Sequence, residues 1–178
     1  MRLIGATSIL VLACAMPAMA AELPSRKPGL WEVKMSIENR NTPAQVIQQC
    51  IDASTDQMMQ SSAGPFSPAA CPKRDVQTSE DSVTIDSACS MGGKPATAHA
   101  FITGSFDSAY TMTVTAQGND LPGGKMIMTL DGKRLGPCAA DQQPGDMIFS
   151  NGMKINILEA QKRVPSPGIP LPAQSPPP

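Results

Sequence analysis

From Leu30 to Glu38 apolar and polar residues alternate, with Trp31, Val33, Met35 and Ile37 in one phase and Glu32, Lys34, Ser36 and Glu38 in the other. A period of two predicts a half-buried strand. Ala44 to Ile51 is a second, less regular strand, with Val46, Ile47 and Ile51 set among glutamines. Five further strands follow at the spacing of a meander, over Pro72–Thr78, Ser82–Ser90, Ala96–Gly104, Ala109–Gln117 and Lys125–Asp131. Tyr110, Met112, Val114 and Ala116 share one face and Thr111, Thr113 and Thr115 the other; Met126, Met128 and Leu130 repeat the pattern. The turns between carry Ser-Glu-Asp-Ser, Met-Gly-Gly-Lys-Pro, Phe-Asp-Ser and Asn-Asp-Leu-Pro-Gly-Gly, all turn-forming compositions.

Two stretches interrupt this regularity. Asp52 to Ala70 is rich in Ser, Ala, Gly and Pro and is expected to be a loop, with one helical turn through Met58 and Met59 capped by Ser54 or Thr55. Beyond Cys138, Asn151-Gly152 separates Met147-Ile148-Phe149 from alternating Met153, Ile155 and Ile157, the signature of a type I′ hairpin. A helix over Met153 to Arg163 is the competing reading of the same residues. The fold class is therefore all-β, a single antiparallel meander sheet curled into a sandwich or partial barrel.

The N-terminus sets the compartment. Arg2 precedes an apolar run from Leu3 to Ala13, too short to span a bilayer, and Ala18-Met19-Ala20 supplies small residues where signal peptidase needs them. Residues 1–20 are thus a signal peptide, cleaved after Ala20. Val11-Leu12-Ala13-Cys14 loosely resembles a lipobox, so lipid anchoring through Cys14 is the alternative. No later segment is long and apolar enough to cross a membrane. Residues 21–138 form the domain proper, 139–164 an extension read as a β-hairpin, and 165–178 a Pro-rich tail that cannot bury enough apolar surface to order itself.

Charge and cysteines narrow the chemistry. Of 14 basic residues Arg2 lies in the signal, leaving 13 against 15 acidic residues, a formal net charge of −2. That balance argues against a nucleic-acid partner. Four cysteines survive export, Cys50, Cys71, Cys89 and Cys138, and an even number in an exported chain predicts two disulfides. If Cys71 opposes Cys89, hairpin partners sum to 160 and the turn centres on Glu80, whereas facing Val76 with Ile85 needs a sum of 161. A bulge, or Cys71 lying just before the paired stretch, absorbs the difference. The favoured connectivity is Cys71–Cys89 and, by elimination, Cys50–Cys138; the other two remain open.

Lys27-Pro28-Gly29-Leu30-Trp31-Glu32-Val33 after a signal peptide, Gln49-Cys50, two cysteines flanking a hairpin, and Gly132-Lys133-Arg134-Leu135-Gly136-Pro137-Cys138 together resemble the bacterial domain-of-unknown-function family 3617. The resemblance covers about Arg26 to Cys138. It implies a small exported β domain with methionine- and threonine-rich strands and paired cysteines, and no known activity. The residues after Cys138 depart from the pattern.

No catalytic motif is present, and no metal or cofactor is assigned. His99 is the only histidine and falls in the phase of Thr97 and Thr103, a solvated position rather than a catalytic one. Glu32, Asp75, Asp86 and Asp131 lie on or beside strands with nothing to fix two of them as an acid–base pair. Trp31 is a core anchor or a ligand-stacking residue. Met112, Met126 and Met128 share a face if their strands pair, with Met35 joining them; flexible core packing, the wall of an apolar cavity and Cu(I) ligation all use such residues. The first functional reading is a non-enzymatic periplasmic protein that binds a hydrophobic small molecule or another envelope component, with Trp31, Met35, Met112, Met126 and Met128 facing the ligand. A structural or interaction module using the Pro-rich tail is the second, a methionine-based Cu(I) binder the third, and an enzyme the last.

Overall fold

The computed structural model describes residues 23–38, 40, 42–62, 70–91 and 93–163; the expected signal peptide, Cys14 and the Pro-rich tail lie outside them. Nine antiparallel strands form one sheet: β1 (Gly29–Ile37), β2 (Gln45–Ile51), β3 (Lys73–Thr78), β4 (Ser82–Met91), β5 (Lys94–Ser105), β6 (Ala109–Gly118), β7 (Lys125–Gly136), β8 (Asp146–Phe149) and β9 (Lys154–Asn156). Their spatial order is β3-β4-β5-β6-β7-β1-β2-β8-β9, so the β3–β7 meander is extended by the β1–β2 hairpin and then by β8–β9. The sheet is a single open layer, not a two-sheet sandwich.

Its register places the alternating residues on one face. Arg74, Ser87, Ala98, Ala116 and Met126 form one row across β3 to β7, and Val76, Ile85, Ala100, Val114 and Met128 form the next. β1 continues the face through Val33 opposite Gly132 and Met35 opposite Leu130. The hairpin pairs Val76 with Ile85, a sum of 161, and Cys71 lies just before β3 and still bridges Cys89. Cys50 bridges Cys138, so the favoured connectivity is the one present.

Of the stretch after β2 expected to be a loop, residues 63–69 lie outside the described residues, and the helical turn expected through Met58 and Met59 is part of a longer helix, α1 (Ala53–Ser62). Its N-cap is Asp52, not Ser54 or Thr55: the Asp52 carboxylate accepts the Thr55 backbone N–H at 2.8 Å, and the Thr55 hydroxyl accepts the Asp52 N–H at 2.9 Å. Topology explains its location. β2 and the edge strand β3 are six positions apart, about 29 Å at the usual strand spacing, so the connection has to cross a sheet face. Helix α1 lies on the apolar one, where Met59 packs on Trp31 and Ile51.

At the other end both readings of residues 153–163 are partly realised. β9 pairs with β8 through Met147 and Ile155, and α2 (Ile157–Arg163) follows. The Asn156 side-chain oxygen accepts the N–H groups of Leu158 (3.0 Å) and Glu159 (3.3 Å), which ends the strand and starts the helix. The β8–β9 turn is one residue longer than the two-residue type expected: the Phe149 N–H donates to Met153 O and the Gly152 N–H to Phe149 O, and Gly152 has φ +81°. Only a residue free to adopt left-handed backbone closes such a three-residue loop without strain.

Candidate functional site: a cavity between the sheet and two helices

Every strand except β9 contributes to the wall of one cavity of about 520 Å³, from Arg74 on β3 to Met147 on β8. Strands so far apart in the order can border one space only because the sheet curls. Small side chains widen it along β4 and β5: Ser87, Ala98 and Ala100 line the wall where larger residues would fill it. Ile85, Ile102, Met112, Val114, Met128 and Leu130 make the surrounding wall apolar. Met58 and Met59 of α1 and Ile157 and Ala160 of α2 cover the opposite side.

One end is built from aromatic and charged residues. Trp31 is fully buried, its indole N–H donating to Lys27 O at 2.8 Å, and its ring centroid is 5.8 Å from that of Tyr110. Tyr110 packs on Phe106 at 5.3 Å, and both line the cavity. Burial pushes the Tyr110 hydroxyl pKa up, against the opposing influence of nearby Arg26.

Arg26 and Asp56 form a buried ion pair, 6% and 0% exposed. The Arg26 backbone N–H donates to Asp56 Oδ2 at 2.7 Å, its Nε to Oδ1 at 2.8 Å and its Nη1 to Gln49 Oε1 at 2.8 Å. Gln60 Nε2 also donates to Asp56 Oδ2, at 2.8 Å. Arg26 further lies over the Trp31 ring, 5.5 Å from its centroid. This network fastens α1 to the segment before β1 and to β2, which holds the helix over the cavity. Its charges are spent inside the protein, and among the described residues no buried side-chain polar atom lacks a partner.

Of the residues assigned from sequence to a ligand-facing surface, Met112 and Met128 are in the cavity wall. Trp31 lies beneath it, packed against the wall residues Met59 and Tyr110. Met35 and Met126 share the same sheet face and are half-buried, but they are not wall residues. His99 is exposed on the other face, its Nδ1 2.8 Å from Asp86 Oδ1, and Asp75 directly opposes Asp86 on β3. Thr111 donates to Asp131 at 2.9 Å on that face.

Sequence reasoning missed Arg26, Asp56, Gln49, Gln60, Arg74 and Ser87. A signal for the last two existed, since the pairing of Val76 with Ile85 also puts Arg74 opposite Ser87 on the Val76 face.

The two disulfides indicate an oxidising, extracytoplasmic compartment. No described helix is long and apolar enough to cross a membrane.

The opening and closing motifs meet in space. Arg134 Nε and Nη2 donate to Pro28 O at 3.1 and 2.9 Å, and a β-carbon on Gly29 would collide with the Gly136 carbonyl oxygen. No curated protein and no solved structure matches the chain. A family model described as "Protein of unknown function (DUF3617)" matches residues 26–138, a span that begins at the buried Arg26, ends at the disulfide-bonded Cys138 and leaves β8, β9 and α2 outside it. With most of its length matched, the chain belongs to the DUF3617 family.

Proposed function

We propose that this protein is a non-enzymatic periplasmic binder of a hydrophobic small molecule, held between the concave face of the sheet and the two helices. The observation that carries the reading is the cavity. Its volume of about 520 Å³ falls within the range of roughly 300–1,000 Å³ typical of small-molecule sites. Its wall is mostly apolar, with polar groups at Arg26, Gln49 and Gln60, at Arg74 and Ser87, and at Gln161 of α2. A row of alanines and a serine keeps space open where valine or leucine would close it, and an empty apolar space of this size forfeits packing that a ligand restores. The N-terminal signal pattern and the disulfides support export.

The test is recovery of a bound molecule. Protein taken from the native periplasm under non-denaturing conditions is extracted and analysed by mass spectrometry, beside an Ala100→Phe variant whose ring projects into the cavity. The expected result is a lipid or other apolar compound in stoichiometric amount with the parent protein and its loss from the variant. An equal yield from both would overturn the cavity as the site.

A further inference from the structure

Arg26 and Arg74 both line the cavity, and only one has its charge spent. Arg26 is buried and bonded to Asp56 and Gln49. Arg74 is exposed, on the inward-facing row of edge strand β3, directly opposite Ser87. Neither Arg74 nor Ser87 has a side-chain partner among the described residues, although both also border a polar recess that contains Asp75, bonded to Gln77, and Asp86, paired with His99. A guanidinium presents a planar fork of donors that matches a carboxylate or phosphate, and a neighbouring hydroxyl adds another donor. Beyond this pair the wall turns apolar at once through Ala98, Ala100 and Ile85. The result is a charged, solvent-facing rim at one border of an apolar chamber.

We propose that the ligand is a single-chain amphiphile with an anionic head, a carboxylate or a phosphate monoester, and that Arg74 and Ser87 bind the head while the chain lies in the cavity. This rests on the cavity being a ligand site. One net positive group at the rim selects one anionic head, and 520 Å³ suits one alkyl chain better than two. Charge on an edge strand also guards against edge-to-edge association, but Lys73 and Asp75 carry charge on the opposite face of β3, and Arg74 faces inward.

The test is displacement of phenylnaphthylamine, a neutral fluorescent probe, from the disulfide-intact mature protein by hexadecanoate, hexadecyl phosphate and hexadecanol below their aggregation thresholds. One or both anions are expected to displace the probe at roughly tenfold lower concentration than the alcohol, the scale of a hydrogen bond to a charged group. The anion with the larger advantage identifies the head. In Arg74→Gln the advantage of the anions over the alcohol collapses to about one, whereas Lys73→Gln, on the other face, retains it; thermal unfolding checks that both variants are folded. Equal displacement by all three in the parent protein, or an anion advantage that survives Arg74→Gln, would overturn the head-group assignment and leave the cavity reading standing. Association of Arg74→Gln into larger species with the anion advantage intact would identify Arg74 as an edge guard and overturn it too. Failure of the parent protein to bind the probe would overturn both.

Discussion

The ring of Tyr110 lies over Gly132, its directly opposed partner on the neighbouring strand, so closely that a β-carbon on Gly132 would overlap Cε1 and stand 2.5 Å from Cζ. Glycine in a strand interior weakens it, and here the loss is offset because the bare backbone lets an aromatic ring lie flat across it. That ring then packs on Phe106 and Trp31 at the aromatic end of the cavity. The glycine that opens the Gly132–Cys138 motif is thus a requirement of the site.

Gly132→Ala is therefore expected to destabilise the protein by ~1–3 kcal/mol, the cost of overpacking a filled position. Urea unfolding measures it. In a Tyr110→Ala background the same change should cost far less, because the ring that would be displaced is gone. An equal cost in both backgrounds would place the strain elsewhere.

The buried Arg26–Asp56 pair makes a second prediction. Removing the carboxylate in Asp56→Ala leaves a guanidinium out of water and without its partner, which costs ~3–5 kcal/mol for pairs of this kind. Replacing both members by apolar residues, as in Arg26→Met with Asp56→Leu, should cost much less than Asp56→Ala alone. Denaturant unfolding of the three proteins gives the comparison. A double variant as unstable as the single one would mean that the Arg26 backbone N–H bond to Asp56 and the bonds to Gln49 and Gln60, and not the unpaired charge, dominate.

The sheet was legible from sequence because alternation is a direct consequence of strand geometry: each side chain declares its face by its phase, as Tyr110, Met112, Val114 and Ala116 do. Helix α1 was legible only as one turn through Met58 and Met59, for a definite physical reason. Its positions 52, 55, 56 and 59 do recur at helical spacing, but three of them are Asp52, Thr55 and Asp56, so the inward face is polar and carries no hydrophobic periodicity. What makes that face buriable is Arg26, 30 residues earlier in the chain than Asp56. Local pattern holds no trace of such a partner. Phase likewise assigned Met35, Met112, Met126 and Met128 to one face, but how far a cavity extends along that face depends on curl and on helix placement, and only Met112 and Met128 reach it.

The cap of α1 gives the protein a specific response to acid. The Asp52 carboxylate accepts the Thr55 backbone N–H at 2.8 Å, the Thr55 hydroxyl at 2.8 Å and the Ser54 hydroxyl at 2.9 Å. These bonds, the Thr55 backbone one foremost, hold its pKa below the ordinary carboxylate value. A folded-state pKa depressed in this way contributes stability that is present above the unfolded value, near 3.9, and is lost as the pH falls through the lower folded value. Asp52→Ala removes both the cap and its titration. At neutral pH it is expected to cost ~1 kcal/mol, the usual worth of an N-cap side chain. Asp146 is also held below the ordinary value: burial raises its pKa, but the bonds from Asn156, the Gln143 N–H and Lys154 outweigh that effect. Acid therefore destabilises both the parent protein and the variant, and the difference between their unfolding free energies isolates Asp52. Measured by urea unfolding, that difference should be constant from neutral pH down to about 5 and shrink steadily below about 4. A difference that stays undiminished in strong acid would mean that the neutral carboxyl caps α1 as well as the carboxylate does.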